Sequence, residues 1–208
     1  MVKRTRKREE LIRVGRDLIV RKGFNATGLS DILTTAAVPK GSFYYYFESK
    51  EAFGLAIIED SAKAYQQKLE ETLGNEQLAP LARLSSYFER GIAEMQASQH
   101  EEGCLFGNLA QEMSAQSPAF RDRLDKIFTD WEARITHCLE AAYEAGDIEQ
   151  APFADLSKFI LSGWQGAMLR SKVSNSIEPL QTFVNVVFEQ VLSAAAPSIL
   201  HSQKSSDS

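Results

Sequence analysis

Apolar residues recur at intervals of three and four positions along almost the whole chain, and this spacing limits the possible folds more than any other feature. No stretch alternates apolar and polar residues for long enough to form a half-buried strand. The sequence therefore predicts an all-α protein of about nine helices. The predicted helices are about Arg4–Lys22, a short helix from Thr27 to Ala36 or Ala37, a third near Pro39, then Lys50–Leu73, Leu78–Ala97, Gly103–Ser114, Pro118–Ala145, Pro152–Lys172 and Ile177–Ala195.

Several residues mark the expected helix ends. Gly23 should close the first helix in the left-handed conformation, and Phe24 should pack back on it as an apolar anchor. Thr27 and Ser49 are of the residue types that cap helix N-termini, and Pro39 suits a first helical turn. After these helices, residues 198–208 are polar and rich in serine, which predicts a disordered tail.

The charge is distributed unevenly along the chain. Residues 1–50 carry eleven Lys or Arg and five Asp or Glu, a net charge of +6, whereas the whole chain has a net charge of −5. A basic head on an acidic body is attracted to a polyanion in one orientation only. The alternative from charge alone is a basic N-terminal arm that is simply solvated.

Composition and motifs narrow the class of protein. Two cysteines, Cys104 and Cys138, are too few for a disulfide framework, so we expect a cytoplasmic protein. The polar, basic start is not a signal peptide, and no apolar run is long enough to span a membrane. No phosphate-binding loop, nucleophile motif or paired carboxylates indicate an enzyme or a cofactor. His137 adjoins Cys138, but three histidines without a spaced cluster do not predict a metal site.

Residues 28–47 predict a helix-turn-helix. One apolar face consists of Leu29, Ile32, Leu33 and Ala36, and a second consists of Phe43 and Phe47. If both faces pack on the first helix, then Lys40, Ser42, Tyr44 and Tyr45 point away from the core. Hydroxyl groups bind phosphates and aromatic rings contact thymine methyl groups, so this outward surface suits a DNA groove. A protein–protein adaptor is the alternative, and the basic head disfavours it.

The same segment resembles the tetracycline-repressor (TetR) family of transcriptional regulators. The resemblance covers roughly residues 8–55 and is carried by Lys40-Gly41-Ser42-Phe43-Tyr44-Tyr45-Tyr46-Phe47 and Ser49-Lys50-Glu51. The chain departs from the family at Gly28, where a second threonine is common, and at Tyr46, where histidine is common. The resemblance implies a DNA-binding domain at 1–50, an effector-binding and dimerisation domain at 51–197, and the tail.

The family resemblance also implies roles for individual residues. Phosphates would be bound by Thr27, Tyr45 and Lys50, and base edges by Lys40, Gly41, Ser42 and Tyr44. The arm that contains Lys3, Arg4 and Arg6 would reach an adjacent phosphate or groove. The expected partner is double-stranded operator DNA, bound as a homodimer that represses transcription until an effector releases it; activation is the open alternative.

A second resemblance lies in the body of the chain. Gly103-Cys104-Leu105-Phe106-Gly107-Asn108-Leu109, followed by Glu112, is similar to a subgroup of the family that includes sensors of electrophiles and oxidants. The resemblance implies that Cys104 is a sensor, with Lys172 as a nearby cation. A helix N-terminus favours a thiolate, whereas Glu101 and Glu102 oppose it. The alternative is a small buried cysteine that only fills space.

The remaining predictions concern the effector cavity and the dimer. Aromatic and methionine side chains of the later helices would line a cavity or form ordinary core, and those predicted for the cavity are Phe88, Trp131, Trp164 and Met168. Two apolar helices from each copy would form a four-helix interface. The residues predicted for that interface are Phe159, Gly163, Ala167, Val184, Val187, Phe188 and Val191.

Overall fold

The computed structural model describes residues 2–193, and in this range the chain forms helices joined by short loops, with no strand. The predicted all-α class is confirmed. The helices are α1 (Val2–Lys22), α2 (Leu29–Thr35), α3 (Phe43–Tyr46), α4 (Lys50–Glu71), α5 (Pro80–Ala97), α6 (Leu105–Met113), α7 (Pro118–Glu144), α8 (Phe153–Ser174) and α9 (Glu178–Val186). A 3-10 turn, Lys40–Ser42, precedes α3, and a π-helical segment, Val187–Leu192, continues α9.

The N-terminal head forms because α1, α2 and α3 each present an apolar face to the same centre. Leu11 and Ile19 of α1, Ile32 of α2 and Phe43 of α3 are all almost fully buried. The core extends beyond residue 50, since the ring of Phe53 on α4 packs edge-on against Phe43 at 5.5 Å between centroids. The first turns of α4 therefore belong structurally to the head.

The loop between α1 and α2 follows one prediction and departs from another. Gly23 has a φ of 89°, the left-handed conformation predicted for it, and Phe24 is buried beside Phe120 at 5.2 Å between ring centroids. Thr27, however, does not cap α2: the cap position is Gly28, and no side chain bonds to the helix end there. The Thr27 hydroxyl instead donates to the Gly23 carbonyl oxygen at 2.6 Å.

Two other helix starts were predicted from residue type. Ser49 caps α4 as expected, because its hydroxyl accepts a hydrogen bond from the amide of Ala52 at 2.9 Å. Pro39 lies immediately before the 3-10 turn, so the third helix consists of this turn and the single turn of α3. The polar tail predicted at 198–208 lies outside the described residues.

The body consists of α4 to α9. The long helix α7 packs along α5 on one side and α8 on the other, and α9 packs on α8. Phe88 of α5 and Trp164 of α8 meet in its core with ring centroids 4.8 Å apart. Within residues 2–193, no helix combines the length and the apolar character that a membrane crossing requires.

Candidate nucleic-acid interface and ligand cavities

The surface predicted to contact DNA lies on α3, and the two sides of this helix differ sharply in exposure. Phe43 and Phe47 are buried, whereas Tyr44 and Tyr45 are 69% and 61% exposed. The ring of Tyr44 contacts the edge of Phe43 at 5.5 Å, and the ring of Tyr45 contacts Tyr46 at 5.0 Å. The two exposed phenols are therefore braced by neighbouring rings, and they present aromatic faces and hydroxyl groups outward.

The other residues predicted to bind DNA are not all accessible to it. Gly41 is exposed, and a Cβ placed on it would meet nothing within 4 Å, so a ligand backbone can approach closely here. Ser42 is half-buried, and Lys40 begins the 3-10 turn. Thr27 is completely buried, so its hydroxyl is not presented to a ligand in this conformation.

Lys50 is oriented toward the head's own loop. Its ammonium donates to the carbonyl oxygen of Phe24 at 2.8 Å and lies 4.8 Å from the centroid of the Phe24 ring. Burial lowers the pKa of Lys50, and the nearby carboxylate of Glu112 partly offsets that effect. Lys50 thus anchors the start of α4 to the α1–α2 loop.

Glu112 of α6 connects the body to that same loop. Its carboxylate accepts hydrogen bonds from the backbone amides of Phe24 at 3.1 Å and Asn25 at 2.9 Å. A salt bridge between Arg21 and Glu102, 3.3 Å long, lies nearby. The sequence motif included Glu112, but only the packing of α6 on the head shows what its carboxylate binds.

Among the cavities of the described part of the chain, two share Cys104 in their lining. The inner cavity, about 410 Å³, lies between α1, α4, α5, α8 and the start of α6. The outer cavity, about 500 Å³, lies between α6, α7 and α8, and Lys172 is on its wall. Each volume falls within the range typical of small-molecule sites.

Cys104 caps the N-terminus of α6 but is not activated as the sequence suggested. Its sulfur accepts a hydrogen bond from the amide of Gly107 at 3.4 Å. Burial nevertheless raises the pKa of the Cys104 thiol, and this effect outweighs the hydrogen bonds and the charge of Lys68. The raised pKa favours the thiol, and Lys68 is a cation whose charge acts to lower that pKa.

Lys68 is part of a buried polar cluster that sequence reasoning missed. Its ammonium forms an ion pair with Glu94 at 2.6 Å and lies 4.9 Å from the ring centroid of Tyr65. The hydroxyls of Tyr65 and Tyr87 are 3.0 Å apart and hydrogen-bonded. Burial raises the pKa of both phenols, so both stay protonated.

One face of α8 carries exposed apolar side chains. Phe159 is 56% exposed, and Leu169 and Val173 on the same face are also exposed. Gly166 lies between them in the helical repeat, and a Cβ placed on it would meet nothing within 4 Å. This α8 stripe, defined by Phe159, Ser162, Gly166, Leu169 and Val173, has the three- and four-residue spacing of a helix-packing surface.

Comparison with known proteins decides the family. A family model described as "Bacterial regulatory proteins, tetR family" matches residues 11–57. A second, "Tetracyclin repressor-like, C-terminal domain", matches residues 80–187. This chain belongs to the TetR family.

Several relatives of this TetR-family regulator are similar over most of their length. The transcriptional repressor DhaR of Mycobacterium sp. strain GP1 is 36% identical over 91% of this chain and 94% of its own. The crystal structure of the reduced form of Escherichia coli NemR, a transcriptional repressor, superposes with a TM-score of 0.77 at 36% identity, covering 88% of this chain and 96% of NemR. A regulatory protein TetR from Rhodobacter sphaeroides gives 0.80 at 36% identity, with 86% and 95% covered.

The regulator's structure changes several of the residue assignments made for the body. Trp164 and Met168 line the inner cavity, but Phe88 and Trp131 line neither of the two cavities. Phe88 is fully buried, and Trp131 stacks behind Tyr65 with 4.3 Å between ring centroids. Both are core residues that support the cavity walls.

The predicted dimer interface also needs correction. A Cβ on Gly163 would lie 2.5 Å from the Phe183 ring, so Gly163 faces α9 of its own chain. Ala167 and Val187 are buried in the core as well. Of the predicted residues Phe159 remains exposed, whereas Val184, Phe188 and Val191 are half-buried.

Proposed function

We propose that this TetR-family regulator represses transcription as a homodimer on an operator with two half-sites, and that a small molecule bound in its body releases it. The observation that carries the proposal is the contrast on α3 between buried Phe43 and Phe47 and exposed Tyr44 and Tyr45. A helix anchored on one side and aromatic on the other matches a recognition helix that enters a major groove.

The DNA contacts follow from this orientation and from the family resemblance. Tyr44 reads base edges and thymine methyl groups, together with Lys40 and Ser42, and the exposed backbone at Gly41 permits close approach. The hydroxyl of Tyr45 binds a phosphate. The side chain of Thr27 leaves the contact set because it is buried, and Lys50 acts by holding the α1–α2 loop.

The dimer is proposed to form through the α8 stripe. Phe159, Leu169 and Val173 are large apolar side chains exposed on one face, and Gly166 allows a second helix to approach closely. Pairing two copies through a shared face is the usual isologous arrangement. Half-sites one turn of DNA apart require two recognition helices about 34–36 Å apart, which a dimer can supply and a monomer cannot.

Release is proposed to act through α6. This helix begins at the cavities, where Cys104 caps it, and near its other end Glu112 binds the amides of Phe24 and Asn25. A ligand that shifts α6 moves the carboxylate of Glu112 and therefore the α1–α2 loop. The ligand then favours a dimer whose two heads no longer match the operator spacing.

A second route to release is covalent modification of Cys104. The specific observation in its favour is that the Cys104 sulfur lies on both cavities and caps α6. Alkylation of this sulfur would add bulk at the N-terminus of α6, the helix that contacts the α1–α2 loop through Glu112. Because the thiol pKa is raised, this route needs strong electrophiles at neutral pH.

The test is selection of binding sites from random duplex DNA with the full-length protein. We expect a palindromic consensus with two half-sites, and a gel shift of one dimer on it. Enrichment of no sequence over several rounds would refute the proposed operator binding. Enrichment of a single half-site would refute the dimeric arrangement.

A further inference from the structure

Three cations, Arg16, Lys68 and Arg90, and three carboxylates line the inner cavity, and Lys68 is the buried cation among them. Lys68 has three N–H groups and donates one of them to the carboxylate of Glu94. Tyr65 and Tyr87 share one hydrogen bond between two hydroxyls, so one O–H hydrogen is left over. An acceptor oxygen on a ligand can therefore bond to the remaining N–H groups of Lys68.

Ser61 adds an independent observation. It lines the same cavity, is only 8% exposed, and its hydroxyl has no hydrogen-bond partner among residues 2–193. A buried hydroxyl without a partner costs about 1–3 kcal/mol, which is why such groups are rare unless a site requires them. Ser61 and Lys68 lie two helical turns apart on α4 and line the same cavity.

The Lys68–Glu94 ion pair has a geometry in which another anion can replace Glu94. Lys68 is buried, but its partner Glu94 is 55% exposed. The other carboxylate oxygen of Glu94 lies 3.6 Å from Arg90, which provides an alternative cation on the protein surface. An incoming carboxylate can thus take the place of Glu94 at Lys68 while Glu94 stays paired with Arg90.

The rest of the inner cavity is suited to an apolar group. Leu105, Phe106, Trp164 and Met168 contribute to its wall. The volume of about 410 Å³ lies in the range typical of sites for small organic molecules.

We propose that the inner cavity binds a small organic carboxylate with an apolar tail, whose carboxylate pairs with Lys68 and accepts from Ser61 while its tail packs on Phe106 and Trp164. This ligand class deepens the proposed function, since it rests on release by a molecule bound in the body. A neutral carbonyl compound would also satisfy Ser61, but it could not replace Glu94 on Lys68.

Calorimetry on the full-length protein without DNA tests the ligand class. The probes are hexanoate and octanoate, the matching amides, and hexylamine. We expect at least one carboxylate to bind at least about tenfold more tightly than its amide, because a charge-assisted pair with Lys68 is lost in the amide. Hexylamine should not bind. Equal affinity for acid and amide, or no binding of either carboxylate, would overturn the proposal.

Three variants give responses that general destabilisation would not produce. Lys68→Met should weaken carboxylate binding at least about tenfold, whereas Glu94→Gln should strengthen it because the competing anion is removed. Ser61→Ala should raise the melting temperature of the free protein, since an unpaired buried hydroxyl is lost, and yet weaken carboxylate binding. Lys63→Met, at an exposed lysine of the same helix, is the matched control and should change nothing. Weaker binding in both the Lys68 and the Glu94 variant would overturn the exchange of anions.

The result is separable from the fate of the proposed function. A protein that binds its selected operator but no carboxylate shows that the ligand class is wrong and that repression stands. A protein that binds hexanoate and never binds DNA shows that the cavity assignment stands and that repression fails.

Discussion

The head and the body of this regulator differ in how their polar and aromatic residues are used. In the head, Phe43 and Phe47 are buried, whereas Tyr44 and Tyr45 are exposed at the surface. In the body, polar groups are buried at a cavity. Lys68 and Ser61 line it, and the Ser61 hydroxyl has no hydrogen-bond partner within the described residues. The head thus presents aromatic groups at its surface, whereas the body holds a buried hydroxyl that has no partner among the described residues.

This difference has a thermodynamic meaning. Groups that are satisfied in the free protein gain little from a further partner, whereas unsatisfied buried groups gain the full cost of their desolvation when a partner arrives. The head should therefore bind DNA without folding changes of its own, and the body should be stabilised by its ligand.

The largest expected effect concerns the proposed dimer. Gly166→Arg should fold, since a Cβ there meets nothing within 4 Å of the same chain. It should yield a monomer by light scattering and lose operator affinity by about 100-fold or more, because two linked half-site contacts become one. Ala154→Arg, at an exposed position on another face of α8, is the control. A dimeric Gly166→Arg protein would remove the α8 stripe from the interface.

The next effect concerns the exposed tyrosines of α3 in the head. Tyr44→Ala should reduce operator affinity by at least about tenfold without changing the melting temperature by more than about 2 °C, since the side chain is mostly exposed. Tyr45→Phe, which removes only a hydroxyl, should have a smaller effect that is equal for all DNA sequences. Tyr143→Ala changes an exposed tyrosine of the body and should bind normally. Normal binding by both head variants would contradict recognition by α3.

Lys50 distinguishes a DNA contact from a structural anchor. Lys50→Met should weaken operator binding several-fold because the bond to the Phe24 carbonyl is lost and the α1–α2 loop moves. The slope of log affinity against log salt should stay unchanged. A slope smaller by about two for the dimer would show instead that each Lys50 neutralises a phosphate.

The smallest effect concerns the two cysteines of the body. Burial raises the pKa of Cys138 to about 11, and its thiol donates to the carbonyl oxygen of Pro80 at 2.9 Å. The pKa of Cys104 is also raised, but Cys104 faces the cavities. Iodoacetamide should therefore label Cys104 before Cys138, and both rates should rise from about pH 7 to about pH 9 as thiolate forms. Mass spectrometry of wild type, Cys104→Ser and Cys138→Ser measures both rates; faster labelling of Cys138 would contradict the assignment.

The head could be predicted from sequence because its rules are local. The turn at Gly23, the cap at Ser49 and the two sides of α3 all depend on residues a few positions apart, and the structure agrees with each. Thr27 and Lys50 are the exceptions, since Thr27 is buried and Lys50 bonds to the Phe24 carbonyl. The Thr27 hydroxyl bonds the Gly23 carbonyl, which a rule for helix caps does not consider.

The body could be predicted only in outline because its site is assembled from distant segments. Lys68 and Glu94 lie on different helices, α4 and α5, and nothing in either segment indicates the other. The choice between Gly163 and Gly166 likewise depends on which side of α8 is covered by Phe183 of α9. Small residues on a helix mark a close approach, but the sequence does not say to which neighbour.

The bond that Glu112 makes to the head has a consequence for how such regulators diversify. Because the carboxylate binds backbone amides at Phe24 and Asn25, the contact does not depend on the exposed side chain of Asn25. The residues of α3, which we propose to read the operator, can therefore change while the contact between Glu112 and the α1–α2 loop is preserved. Operator preference and ligand response can in this way change independently of each other. A head from another regulator, grafted with the same backbone path in this loop, should then respond to the ligand of the body it is joined to.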